Sequence, residues 1–376
     1  MQFPPHLIAS IITRPNEGHK LNSRLSKKVA ALLLALLLAP VARAIDATPE
    51  ELVKAGHWKR AKALLELRVQ ANPNDAQSLY LLSQVRIAYR DYKEALALAE
   101  RAAAQNQKNA EYRGQVAEAV CELAGKERSF SLGRRCKSEL EATVALDPQD
   151  VDSRLGLLQW HMEAPWIIGG RKDEARKQLA EIQRINPSKG ALAQVRMNRY
   201  EENKASPEPL YLKALELDPQ SYAIRITLMN FYFSDAQRNY DLVEKYAREA
   251  VKIDPNRTGG YSGLAIVFAR QKRWQELDAI LAQAEKTIPD NFVPYLRAEQ
   301  AISADSGELP RAEKYLRKYL SIDPEPNSPT LADAHWMLAL LLERMNRKPE
   351  AVEELRLALK LNPEHEAAKK DLKRLS

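Results

Sequence analysis

Six histidines and two cysteines are the side chains of this 376-residue chain best suited to metal ligation or nucleophilic chemistry. The histidines, at 6, 19, 57, 161, 335 and 365, are scattered. No H-E-x-x-H pair is present, and Cys121 and Cys136 lack the spacing that gathers thiolates round zinc. No G-x-S-x-G marks a nucleophile elbow. Carboxylate pairs such as Glu353 and Glu354 belong to solvated faces. One stretch, HMEAPWIIGGRKDEA at 161–175, sets two glycines before a charged segment. A phosphate loop needs a preceding strand and a Gly-Lys-Ser/Thr or G-x-G-x-x-G pattern, and neither is there. The expectation is a non-enzyme with no catalytic, cofactor-binding or metal-ligating set.

The elements that would carry these residues are helices. Apolar residues make up 45% of the chain, enough for a core, and they recur at i, i+3, i+4. Only 13 glycines occur, and no run alternates as strands do.

Residues 1–44 differ from the rest. Lys27 and Lys28 precede an apolar run from Val29 to Val41, followed by Ala42-Arg43-Ala44. That is the order of a secretory signal peptide, with cleavage expected between Ala44 and Ile45. The run of 13 residues is short of the roughly 20 that a bilayer span needs. The segment before Leu21 is long for a leader, which suggests a start assigned too early. The leader holds Arg14, Lys20, Arg24, Lys27, Lys28 and Arg43 against Glu17 alone, so residues 45–376 carry 51 basic and 49 acidic side chains, net +2. This near balance removes the main support for nucleic-acid binding. The expected location is exported, periplasmic or secreted, with no membrane span left after leader removal.

Proline punctuates the remainder. Pro148, Pro187, Pro219, Pro255, Pro289, Pro324 and Pro363 each end an amphipathic segment, 32 to 39 residues apart, and Pro73 opens the series one double interval earlier. Residues 258–291 show the unit fully, with Tyr261, Leu264, Ala265, Phe268, Leu281, Ala284 and Pro289, and only Leu277 oversized for its position. The last unit carries Leu338, Ala339, Ala351, Leu355, Ala358 and Pro363. This pattern resembles the tetratricopeptide repeat (TPR) family over nearly all of 45–376, in particular its exported bacterial members. The resemblance implies an all-α, right-handed α-solenoid of about nine helical hairpins over 45–363, capped by a helix at 364–376. Small residues let paired helices approach, and stacking supplies the core that no unit has alone.

On that register the quoted stretch is a decorated turn inside the fourth unit. Pro165 should stop the first helix, and Gly169 and Gly170 should take left-handed conformations. Trp166, Ile167 and Ile168 should fold back over the helix pair, with Trp166 also a candidate contact residue. The third unit carries an insertion, AGKERSFSLGRR, between Cys121 and Cys136. The two cysteines face each other across one hairpin, either as a disulfide or as two buried thiols. The fifth unit fits worst, with Pro207 where a small residue belongs.

The resemblance further implies a concave groove lined by the first helix of each unit. The inward positions hold Tyr80 and Gln84 in the second unit, Asn230 and Phe233 in the sixth, and Trp336 and Leu340 in the ninth. Aromatic and amide side chains suit an extended peptide or partner helix. The Lys, Asn and Arg set with which some relatives clamp a chaperone tail is missing. The expected function is an exported scaffold that binds a protein or peptide in an envelope or secretion-related assembly. The alternative is a solenoid that binds cell-wall glycan, or assists an enzyme, through Trp166, Trp336 and Tyr80.

Overall fold

The computed structural model describes residues 47–304 and 307–376; the expected cleavage point between Ala44 and Ile45 lies outside them. The described residues form helices and no strands, paired as nine hairpins and a cap. The first four hairpins are α1 (Pro49–Ala55) with α2 (Trp58–Ala71), α3 (Ala76–Ala88) with α4 (Tyr92–Gln105), α5 (Ala110–Glu127) with α6 (Phe130–Leu146), and α7 (Val151–Glu163) with α8 (Lys172–Ile185). Next come α9 (Pro187–Tyr200) with α10 (Glu208–Leu217), α11 (Tyr222–Phe233) with α12 (Tyr240–Ile253), and α13 (Thr258–Arg270) with α14 (Trp274–Thr287). The array closes with α15 (Val293–Ala304) and α16 (Leu309–Tyr319), α17 (Leu331–Arg344) and α18 (Lys348–Leu361), and the cap α19 (Glu366–Leu375). Each helix packs on its chain neighbours, which makes an α-solenoid. None of the described helices is long and apolar enough to cross a membrane.

Local chemistry starts and stops these helices. Asp150, Ser221 and Asn239 accept backbone N–H groups of the first turn, and Thr330 with Asp333 forms a reciprocal capping box. Among the described residues, each hairpin turn carries one residue at positive φ: Gly56, Arg90, Arg128, Gly169, Glu202, Arg238, Lys272, Glu308 and Asn346. A left-handed residue after a helix lets the chain satisfy its last carbonyls and reverse. Only two of the nine are glycine, so most of these turns leave no compositional mark.

The third-unit insertion is helical: it lengthens α5 to 18 residues and α6 to 17, joined by Arg128 and Ser129 alone. Two expectations for the fourth-unit turn need correction. In the fourth-unit turn only Gly169 is left-handed, at φ +105°. Gly170 is needed for close approach instead, because a Cβ there would stand 1.8 Å from the Ala164 carbonyl oxygen. Trp166 and Ile167 do not fold back. They form a single 3-10 turn with Ile168 and stay 85% and 71% exposed, while Ile168 alone packs on the core beneath.

The solenoid winds far enough for its first hairpin to meet its later ones. His57, in the turn between α1 and α2, bonds to the Asn256 backbone 199 residues away. It also stands 3.2 Å from Asp290. The neighbouring Lys59 donates its backbone N–H to Glu325 at 3.2 Å. Those partners occupy the turns into the seventh, eighth and ninth hairpins.

Candidate functional site

The first helices of hairpins six to eight place one face of each along a common cleft of about 540 Å³. α11 contributes Ile226, Asn230 and Phe233, spaced one turn apart. α13 adds Ser262, Ile266 and Arg270, and α15 adds Val293, Arg297 and Gln300. The lining thus combines apolar side chains with amide and guanidinium groups and includes no carboxylate. Arg297 is exposed and donates to the Gln300 side-chain oxygen at 2.8 Å. Toward the first hairpin the cleft runs into a smaller one of about 340 Å³, which shares Ile226, Val293 and Arg297 with it. There Arg257 lies 4.1 Å over the Tyr222 ring. Gly56, His57 and Trp58 from the first hairpin wall that end.

The sequence-derived groove residues divide into two groups. Asn230 and Phe233 line the cleft. Tyr80 and Gln84 are half-buried between the second and third hairpins, where the Tyr80 ring meets Tyr112 at 5.5 Å. Burial, with Glu111 and Glu118 nearby, pushes the Tyr80 phenol up to about 12, which keeps it neutral. Trp336 is committed to the cap: its indole N–H donates to Asp371 at 2.9 Å and its ring packs beside His365. Leu340 is half-buried on the same helix. Trp166, Trp336 and Tyr80, the three proposed for glycan, sit in hairpins four, nine and two, and none lines either cleft described above. The inward register, applied to hairpin seven, would have found Ser262 and Ile266, which share the positions of Ile226 and Asn230 in hairpin six.

A second cleft, of about 980 Å³, lies between the third and fourth hairpins. Tyr92, Trp160, Pro165 and Ile168 line it, together with Cys121 and Cys136. The two cysteines are joined as a disulfide with Cα atoms 4.8 Å apart. Trp160 donates its N–H to the Gly133 carbonyl at 2.9 Å, which ties α7 to α6. Phe130, 60% exposed, stands at its edge, and Trp166 and Ile167 lie outside it. His161, beside this turn, is buried, and burial together with Lys137 lowers the pKa of its ring.

The tetratricopeptide repeat model matches residues 332–365, which span α17 and α18. No curated protein matches the chain. Among solved structures, yeast Tom70 is 14% identical, with 87% of this chain and 79% of that chain covered and a TM-score of 0.46. The APC/C hetero-tetramer Cut9–Hcn1 is 14% identical, with 84% and 58% covered and a TM-score of 0.42. A monomeric IFIT1 mutant with a capped RNA is 16% identical, with 91% and 80% covered and a TM-score of 0.44.

Proposed function

We propose, from an α-solenoid whose ninth hairpin matches the tetratricopeptide repeat, that the protein is a non-enzymatic exported scaffold holding an extended protein segment in the groove of hairpins six to eight. The observation that carries this reading is the lining of that groove. Its apolar lining residues suit alternate side chains of an extended chain, and Asn230 and Gln300 offer bonds to its backbone. Arg297, exposed and with no carboxylate among the residues lining this cleft, favours a segment that brings acidic side chains or a C-terminal carboxylate. Export is supported by the lysine–apolar–alanine order of residues 27–44 and by the disulfide, which persists in oxidising compartments. An envelope or secretion-related assembly, in the periplasm or outside the cell, is the setting in which such a scaffold would work.

The test is binding of a peptide panel to the purified chain, read by fluorescence anisotropy. Acidic, apolar peptides should bind, and Arg297→Glu should weaken them about tenfold or more, as expected when a charged contact becomes repulsive. Equal binding of acidic and basic peptides, or no effect of Arg297→Glu and Phe233→Ala, would refute the groove reading. Export is checked separately, by the mass of the protein recovered from the cell envelope: a mature N-terminus at Ile45 is expected.

A further inference from the structure

The residues that meet His57 occupy one repeated position. Asn256, Asp290 and Glu325 each follow a helix-ending proline, Pro255, Pro289 and Pro324. His57 Nε2 lies 3.0 Å from the Asn256 carbonyl oxygen, and a carbonyl only accepts, so Nε2 carries a proton. In the neutral ring the Nδ1 lone pair then faces Asp290 Oδ2 at 3.2 Å. One donor atom of each of His57, Asp290 and Glu325 lies within 4.8 Å of the other two. Lone pairs thus converge where a cation would satisfy all three.

The surroundings leave that role open. His57 is 6% exposed and Glu325 4%. His57 Nδ1, both Asp290 oxygens and Glu325 Oε1 have no hydrogen-bond partner of acceptable geometry. Lys59 is turned away, its Nζ donating to the Asp323 carbonyl and its backbone N–H to Glu325 Oε2. Arg60 Nη1 forms an ion pair with Asp290 Oδ2 at 3.8 Å, longer than a hydrogen bond. A histidine that donates its other ring N–H to a backbone carbonyl is oriented as metal-bound histidines are.

We propose that this cluster binds a first-row divalent cation, zinc in particular, through His57 Nδ1, Asp290 and Glu325 Oε1, and that the ion clasps the first hairpin to the turns leading into the eighth and ninth. One imidazole and two carboxylates suit zinc, whereas calcium and magnesium take all-oxygen sets. The 3.2 Å between Nδ1 and Oδ2 is ligand spacing for an ion with bonds of about 2.0–2.2 Å. The competing account is a second ring proton on Nδ1, donated to Asp290, with no metal at all.

The experiment is calorimetric titration of the EDTA-stripped full chain with Zn²⁺, paired with amide hydrogen exchange. Stoichiometric binding is expected, with exchange across Gly56–Lys59 slowed on loading. The isosteric variants Asp290→Asn and Glu325→Gln should each weaken binding at least about tenfold while circular dichroism stays unchanged. His335→Ala, which removes the separate pair of His335 with Glu354, should leave binding as it was. No saturable zinc binding, binding that survives both isosteric variants, or binding that leaves exchange at 56–59 unaltered overturns the proposal.

Discussion

Between Ala191 and Leu375 a single apolar cluster passes through every hairpin from the fifth to the cap, whereas between Ala95 and Met197 the core is divided. One of the divided parts runs from Ala95 to Trp160, and the other from Val151 to Met197. The continuous half is rich in tyrosines whose hydroxyls bond across helices, Tyr232 to Glu208, Tyr295 to Glu285 and Tyr315 to Asp278. Each ring fills the core while its polar tip finds a partner at the rim. The divided half uses other ties: the disulfide within hairpin three and the Trp160 bond to Gly133 between hairpins three and four. The same hairpin can therefore be held by packing in one place and by a covalent staple in another. The stapled half also displays the exposed apolar turn, and the packed half carries the groove.

The comparison is broken most strongly in the continuous core. Leu338 is fully buried there, and Leu338→Ala should cost about 2–5 kcal/mol, read by urea unfolding. Because one cluster joins hairpins five to nine, hydrogen exchange should accelerate across all of them; acceleration confined to hairpin nine would contradict a shared core. Removing the staple comes next. The Cys121→Ala, Cys136→Ala pair opens a loop of 15 residues and should cost about 3 kcal/mol, with exchange rising in hairpins two to four and little change beyond hairpin five.

A smaller effect depends on pH. Glu299 is 3% exposed, and burial pushes its carboxyl up to about 7, despite a bond from Ser303 at 2.7 Å and the nearby Arg344. The folded state then holds a proton that the unfolded chain, with the ordinary glutamate value of 4.5, releases. That contribution is present below about pH 4.5 and is lost as pH rises through about 7. Glu299→Gln should gain on the parent by roughly 1–3 kcal/mol between about pH 5 and pH 8, seen as a flatter melting profile. A parallel profile in the two proteins would remove Glu299 as the cause. Smallest is Trp166→Ser, which should change stability by less than about 0.5 kcal/mol because the ring is 85% exposed. A larger loss would mean that the turn is held by that ring after all.

Much of the array was legible because each unit repeats the same local problem. The register put a turn after Pro165 in the fourth unit, and α7 ends at Glu163 with α8 starting at Lys172. Asn230 and Phe233 followed from the inward register. Trp336 misled because the same inward face serves either a ligand or the next element, and the cap helix took it. The form of the insertion between the cysteines was not legible, because AGKERSFSLGRR fits a loop or two longer helices equally well by composition. Structure settled the matter by stacking α5 against α6 along their added turn.

What the sequence determined by itself is the hairpin and its repetition, since helix periodicity, small interface residues and terminal prolines act within a unit or between nearest neighbours. Only the tertiary structure decided that His57 meets Asn256, Asp290 and Glu325. That meeting depends on the small rotation between successive hairpins accumulating until the array returns on its first turn. No single period of the sequence records that sum.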